Sequence, residues 1–247
     1  MAEKVHLLQR VVKSCWSQTC DPQNRPQTPA VMPAHAAGLG NRRARKGKLC
    51  MGDGRTANWL ARLVSMITAP PIMAGAAAGV VHAYSPNLFG EGPKWFMIAL
   101  LFLTVIPLAS YVAARIIPSI RVLGRKGQRK LAFIVSVISY VAGAIGCLSA
   151  KAPRVVSAFF LSYLAAGGIL SLINSAFKFR ASGHACGFSG PITIVAAIVG
   201  PVALSAFAAL PLVFWSRLQM QRHSKAQLWS GTAVGIAATA AVIKAFL

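Results

Sequence analysis

Two histidines in the second half of this chain stand at the borders of apolar runs, each among basic residues. His184 ends the phrase Lys178-Phe-Arg-Ala-Ser-Gly-His184, and His223 follows Arg217 by six positions. An imidazole titrates near neutral pH, so it can act as a nucleophile or as a general acid and base. Polar and ionisable groups are costly at the edge of a membrane segment and mark functional sites there. The two clusters therefore predict a functional site.

Carboxylates are absent from the part of the chain that carries these histidines. The four acidic residues are Glu3, Asp21, Asp53 and Glu91, so nothing acidic follows position 91. A Mg²⁺ or Ca²⁺ site built on carboxylates, a carboxylate general base and a carboxylate proton relay are therefore excluded there. The base or nucleophile must be His, Cys, Tyr, Lys or Ser, and neither a metal nor a cofactor is expected.

The composition indicates an integral membrane protein. Of the 247 residues, 55% are hydrophobic and 12% are charged, whereas a soluble domain has about a quarter of its residues charged. Several long apolar runs predict an all-α, polytopic transmembrane helical bundle of about six to seven helices. Helices are expected at about 60–84, 95–117, 131–149, 155–173 and 226–246, with kinks at Pro70-Pro71 and at Pro107.

The apolar run from His184 to Phe214 is interrupted by Gly200-Pro201. Each half has about 15 residues, or roughly 22 Å of helix, which is shorter than a hydrocarbon core of about 30 Å. The sequence favours two short helices that turn at Gly200-Pro201. Such a hairpin returns the chain to the side it left and places both histidine clusters on one face, whereas a single crossing would separate them.

Residues 1–56 form a predicted basic, disordered tail, and residues 57–247 form the membrane domain. Positions 1–20 are amphipathic and could lie on an anionic membrane surface. The basic run Arg42–Lys48 is typical of disorder, and a juxtamembrane role is favoured over nucleic-acid binding. Met51 is an alternative start. A zinc site is disfavoured because no C-x2-C pair occurs among its possible ligands, Cys15, Cys20, His35 and Cys50.

The distribution of positive charge predicts the orientation. The chain has 26 basic residues and a net charge of +22. With seven crossings, four of the 26 fall on one side (Lys94, Lys151, Arg154 and Lys244), which leaves 22 on the side of both histidine clusters. Short cytoplasmic segments carry the excess of lysine and arginine in membrane proteins. The site is therefore expected to face the cytoplasm.

Two motifs resemble signatures of the type 2 phosphatidic acid phosphatase superfamily. The segment Ser216–His223 has the spacing of the third signature, SR-x5-H-x3-D, and Ala181–His184 resembles the second, PSGH. Lys178–Pro191 also looks like a divergent prokaryotic branch that has a lysine just upstream. Both motifs occur in the family's order inside a multi-span chain. The resemblance covers about 130–247 and implies a protein of a prokaryotic inner membrane.

The chain departs from the family pattern in three places. The first signature, K-x6-R-P, is absent, and the basic segment 125–130 occupies its place with Arg129 as the best candidate. Ala181 replaces proline. Gln227 replaces the aspartate that orients the nucleophilic histidine, and it lies on the same helix face as His223. An amide oxygen can accept from Nδ1–H but cannot stabilise an imidazolium by charge, a loss that costs about 10⁴ in rate in a serine protease.

The resemblance implies a metal-independent phosphatase of a prenyl or glycerolipid phosphate or diphosphate, whose tail stays in the bilayer. His223 would form a phosphohistidine, and His184 would protonate the leaving oxygen and then activate water. The implied partners are the lipid phosphate and membrane lipids, with no specific nucleic acid. The residues expected to hold the phosphate are Lys178, Arg129, Ser182, Gly183 and Arg217.

Other interpretations stay open. A catalytically weak or inactive member of the same fold would bind anionic lipid without turnover, which Gln227 and the missing first signature both favour. A small transporter is a third possibility, although the chain has no internal repeat. Among single residues, Arg180 competes with Lys178, and Arg222 and Lys225 suit topogenic charges. The connection 118–130 is expected to be a loop, and its basic part, 121–130, also suits anionic lipid.

Overall fold

The computed structural model describes residues 54–122 and 124–247, and most of the tail predicted for 1–56 lies outside it, as do the four residues considered for zinc. The described chain is mostly helical and contains no strand, which confirms the all-α class. Its helices are α1 Gly54–Ile67, α2 Pro70–Tyr84, α3 Lys94–Leu100, α4 Ile106–Ile116, α5 Pro118–Val122, α6 Gly124–Ser149, α7 Arg154–Ala176, α8 Gly183–Val199, α9 Leu210–Gln219 and α10 Lys225–Phe246.

Five helical stretches in the described chain are long and apolar enough to cross a membrane, and α1 with α2 supplies a sixth if the bent pair is one span. This set is compatible with an integral membrane protein. The helix α8 has 17 residues, or about 25 Å at 1.5 Å per residue, and falls outside that set. It is nevertheless the most enclosed helix, with ten buried residues between Ala185 and Val195.

The prolines of the first two spans act differently. Between α1 and α2 the chain bends by 53°, just before Pro70, so the predicted kink is present. Before Pro107 the helix instead makes a π-helical turn, Leu101–Val105, and continues. Side chains of neighbouring helices bond the backbone at these irregular points: Ser139 Oγ donates to the Phe102 carbonyl, at 2.5 Å, and Thr104 Oγ1 donates to the Pro71 carbonyl, at 2.9 Å. Such bonds are what lets membrane helices tolerate proline.

The segment expected as a loop at 118–130 is helical in its described residues. Pro118 opens the short helix α5, and α6 begins at Gly124, six positions before the apolar part of its span. Arginine, lysine and glutamine are good helix formers. The helix therefore begins within the basic residues, before the hydrophobic ones, and the expected loop was wrong.

The predicted turn at Gly200-Pro201 is present, but the second half of the hairpin is longer than expected, because Pro201–Gln219 is one of the five stretches long and apolar enough to cross a membrane. The helix α8 ends at Gly200, whose φ of +121° is rarely available to residues with a side chain. A 3₁₀ stretch, Pro201–Ala209, then leads into α9. Phe188 and Ile192 of α8 pack against Leu210 and Val213 of α9 in one buried cluster. The chain therefore returns along α8 toward the end from which it came.

Small residues let α10 dock closely on α8. A Cβ at Gly231 would overlap the Ser182 carbonyl, and a Cβ at Gly235 would overlap the Ser189 side chain. Ser189 Oγ also donates to the Thr232 carbonyl at 3.0 Å. Close backbone approach through small residues is a common way for membrane helices to associate. The glycines thus fix the start of α10 against the start of α8, where the site lies.

Candidate functional site

A buried serine joins the two motif-bearing helices. Arg217 Nη1 donates to Ser65 Oγ at 2.7 Å, and the same oxygen lies 3.4 Å from His184 Nε2. Ser65 comes from α1, His184 from the first turn of α8 and Arg217 from α9, where its side chain is only 3% exposed. Both predicted motifs therefore lie at the same end of the helix bundle. A buried guanidinium and an imidazole next to each other can bind and protonate an anion.

His223 is held by the start of α10. Ser224 caps this helix in a capping box with Gln227: Gln227 N–H donates to Ser224 Oγ at 3.3 Å, and Ser224 N–H donates to Gln227 Oε1 at 3.1 Å. His223 Nδ1 lies 3.3 Å from that same oxygen. Because Ser224 N–H needs an acceptor, the atom is the amide oxygen, and the imidazole must donate to it from Nδ1. The lone pair of His223 is then on Nε2.

The start of α8 is fixed to the start of α10. Ser182 N–H donates to the Gln227 carbonyl at 2.9 Å, and Ser182 Oγ accepts from Ala185 N–H at 3.4 Å as the N-cap of α8. Ser182 is fully buried, and its side-chain oxygen caps α8. Only its hydroxyl hydrogen could donate a hydrogen bond to a phosphate. Gly183 follows at the exposed first turn, where backbone N–H groups are free of helical partners and favour anions.

His184 is kept neutral by its surroundings. It lies at the polar end of α8, outside the five candidate spans. Burial and the Arg217 guanidinium lower the pKa of His184 to about 3, and His223 and Arg222 act in the same direction. The backbone bond from Ser182 to Gln227 brings together the two helix starts that carry these histidines. An anion bound between these groups would offset the cationic neighbours and raise the affinity of His184 for a proton.

Lys178, one of the predicted phosphate ligands, is not brought into contact with the histidines. Lys178 is exposed on the connection between α7 and α8, with a φ of +50°. Within the described part of the chain, no hydrogen bond links its ammonium group to His184. The backbone of Arg129 belongs to α6, but its side chain lies outside the described residues. Their roles stay predictions.

Sequence reasoning missed residues that support the site rather than carry a motif. Ser65 is a single serine in an apolar helix, and nothing in its spacing sets it apart. Asn174 Oδ1 accepts from Ala181 N–H at 2.7 Å and so fixes the connection that leads to His184. Gly231 and Gly235 did carry a signal, because two glycines four positions apart in an apolar helix predict close helix packing.

The comparisons with known proteins are negative. No protein-family model matches the chain, and no curated protein and no solved structure matches it either.

Proposed function

We propose that this protein is an integral-membrane, metal-independent phosphatase of lipid phosphates or diphosphates that works through a phosphohistidine at His223. The observation that carries the proposal is the shared contact of Arg217 and His184 with Ser65, which supports convergence of both motifs on one site. A buried guanidinium beside one histidine, with a second histidine nearby, suits transfer of a phosphoryl group.

The reaction takes two steps. His223 Nε2 attacks phosphorus, the bond from phosphorus to the lipid oxygen breaks, and His184 gives its proton to that leaving oxygen. Neutral His184 then takes a proton from water, whose oxygen attacks the phosphorus of the phosphohistidine. The phosphorus–nitrogen bond breaks, His184 passes the proton it took from water to the departing phosphate, and both imidazoles return to their neutral states. The expected ligands of the phosphoryl oxygens are Arg217, Lys178, Arg129, Ser182 and the Gly183 N–H.

The first proton comes with the substrate. A phosphate monoester has a second pKa of about 6, so below that pH it binds as a monoanion. Within the cationic site its proton can move to His184, since a bound dianion reverses the electrostatic cause of the lowered pKa. The substrate thus supplies the proton that the leaving oxygen later needs.

The test is phosphate release by the purified protein in detergent with EDTA present. Undecaprenyl phosphate, farnesyl diphosphate and phosphatidate cover the substrate classes. His223→Ala should abolish release. His82→Ala, a change in the last turn of α2 and away from the histidine site, should keep it. With ³²P-labelled substrate, His184→Ala should accumulate acid-labile, alkali-stable label on His223. Release that persists in His223→Ala would refute the proposal.

A second candidate rests on Gln227. Without a carboxylate, the imidazolium formed at His223 lacks charge stabilisation, so the chain could bind an anionic lipid without turnover. This function predicts that the wild-type protein binds farnesyl phosphate but releases no phosphate at any pH between about 5 and 9. Binding with release favours the phosphatase instead.

We infer that the site faces the cytoplasm of a prokaryotic inner membrane, because the predicted crossings place 22 of the 26 basic residues on its side of the membrane. Lys225 is exposed beside the site and reports its side. In a cysteine-free background, Lys225→Cys should resist an impermeant thiol reagent in intact cells and react after lysis. Labelling of intact cells would place the site outside.

A further inference from the structure

A cavity of about 600 Å³ extends from the histidine site into the bundle. It lies among α6, α7 and α8, and His184, Gly183 and Asn174 line the end nearest the site. Its far end reaches Phe159 and Ile194. His184 and Ile194 are ten residues apart on α8, so the cavity is about 15 Å deep along the helix.

Three helices contribute a continuous stripe each to its wall. The stripe on α7 is Tyr163, Gly167, Leu170 and Asn174, at helical spacings of four, three and four residues. The helix α6 contributes Phe133, Val137 and Tyr140, and α8 contributes Gly187, Gly190 and Ile194. The wall is therefore mostly apolar and aromatic, with hydroxyl groups at mid-depth, and its one imidazole lies at the His184 end.

We propose that this cavity binds the isoprenoid chain of a prenyl phosphate inside the protein while the phosphate lies at His184 and His223. The assignment of the phosphate end rests on the proposed function, but the chain site does not. Binding of the tail in this chain cavity replaces the expectation that the tail stays in the bilayer.

The shape favours one chain. The backbone of α7 opens the cavity at Gly167, where an added Cβ would meet nothing within 4 Å. Most of its wall comes from α6, α7 and α8, and Pro70, Pro71, Tyr111 and Thr239 on three other helices complete it. Its length along α8 suits the tail of a single-chain lipid phosphate.

Aromatic and hydroxyl groups at mid-depth favour an unsaturated chain. The rings of Tyr140 and Tyr163 lie 5.3 Å apart in the wall. Ser162 is 5% exposed and lines the same cavity, and its Oγ has no hydrogen-bond partner among the described residues. A buried hydroxyl without a partner is costly. The π face of an isoprenoid alkene can accept a weak hydrogen bond from it, and a saturated chain cannot.

The test is binding of tritiated farnesyl phosphate to the full chain in lipid nanodiscs, with dodecyl phosphate as a competitor of similar length. Gly167→Leu adds a side chain at a residue that lines the chain cavity and whose added Cβ meets nothing within 4 Å. Gly146→Leu is the matched control, because its added Cβ also meets nothing within 4 Å and the residue does not line the cavity. Gly168→Leu, which also lines the cavity, replaces Gly167→Leu if that variant aggregates.

Farnesyl phosphate should bind Gly167→Leu at least tenfold more weakly than wild type, and Gly146→Leu within twofold of it. Wild type should prefer farnesyl over dodecyl phosphate, and Ser162→Ala should reduce that preference. Equal binding by both leucine variants would mean that the tail stays in the bilayer and would overturn the proposal, as would equal binding of the two lipids by wild type. Chain-selective binding without phosphate release would refute the phosphatase and leave the chain cavity standing.

Discussion

Arg217 and Ser65, which are 152 positions apart in the sequence, are joined by a hydrogen bond of 2.7 Å from Nη1 to Oγ. Ser65 extends this contact to His184, whose Nε2 lies 3.4 Å from the same oxygen. One hydroxyl thus positions the guanidinium and the imidazole relative to each other. Because the chain bends after α1, this serine contacts the hairpin of α8 and α9. The first helix therefore contributes to the site without carrying a motif.

Ser65→Ala should lower phosphate release and stability together. It removes the acceptor of a buried charged hydrogen bond, a change that costs about 1 to 3 kcal/mol. We expect kcat/KM to fall at least tenfold and the melting temperature in detergent to drop. Ser205→Ala is the control, since Ser205 is exposed and bonds only the nearby Val202 carbonyl. Equal activity of the two variants would show that Ser65 does not position the site.

Gln227→Glu should raise the rate. Glutamate keeps the length and the oxygen that the capping box of Ser224 requires. It also places a negative charge 3.3 Å from His223 Nδ1, where it can stabilise an imidazolium. We expect kcat to increase at least tenfold while the melting temperature changes little. A rate at or below wild type would mean that the amide is already the better partner.

Gln227→Leu separates the two roles of this side chain. Leucine cannot complete the capping box, so stability should fall by about 1 kcal/mol. It also leaves His223 without an acceptor for Nδ1–H, so kcat should fall by at least tenfold. Thermal unfolding and phosphate release measure the two effects separately. Loss of stability with unchanged kcat would restrict Gln227 to capping.

His184 should make the protein less stable in acid. Its folded-state pKa is lowered, whereas in the unfolded chain it titrates near its ordinary value of about 6.5. Between these values the unfolded state binds more protons, so stability is full above about pH 6.5 and declines as the pH falls. The melting temperature should drop more between pH 7.5 and 5 in wild type than in His184→Gln. Equal drops would contradict a neutral, buried His184.

Gly231→Ala should disturb the site through the backbone. The added Cβ would overlap the Ser182 carbonyl, so α10 must move away from the start of α8 and shift His184. Stability and phosphate release should both decrease. Gly79→Ala is the control, because a Cβ there meets nothing within 4 Å and alanine favours a helix by up to about 1 kcal/mol over glycine. A tolerated Gly231→Ala would show that the two helix starts move independently.

The sequence was sufficient for the features that depend on local chemistry. Apolar run lengths predicted the helical spans, and Gly200-Pro201 predicted the turn of the hairpin, because a glycine that can adopt positive φ before a proline ends a helix. The four-residue spacing predicted that Gln227 contacts His223, but the expected shared helix face was wrong: His223 precedes the N-cap Ser224, and the Gln227 side chain turns back from the first turn of α10. Each of these follows from neighbours along the chain.

Features that depend on tertiary contact could not be predicted in this way. Ser65 has the same local pattern as other serines in apolar helices, and only the fold brings it to Arg217. The basic residues at 124–130 look like a loop by polarity, yet their helix propensity and their continuity with α6 make them helical. The chain cavity depends on where Gly167 points, which composition does not reveal.

The bond from Ser182 N–H to the Gln227 carbonyl has a consequence for biosynthesis. Gln227 bonds Ser182 through its backbone carbonyl and His223 through its side chain. It lies at the start of α10, which the ribosome makes after every other described helix. Partly inserted chains therefore lack a finished pair of imidazoles. The proposed phosphatase should therefore become competent in one step, when this helix joins the others in the bilayer.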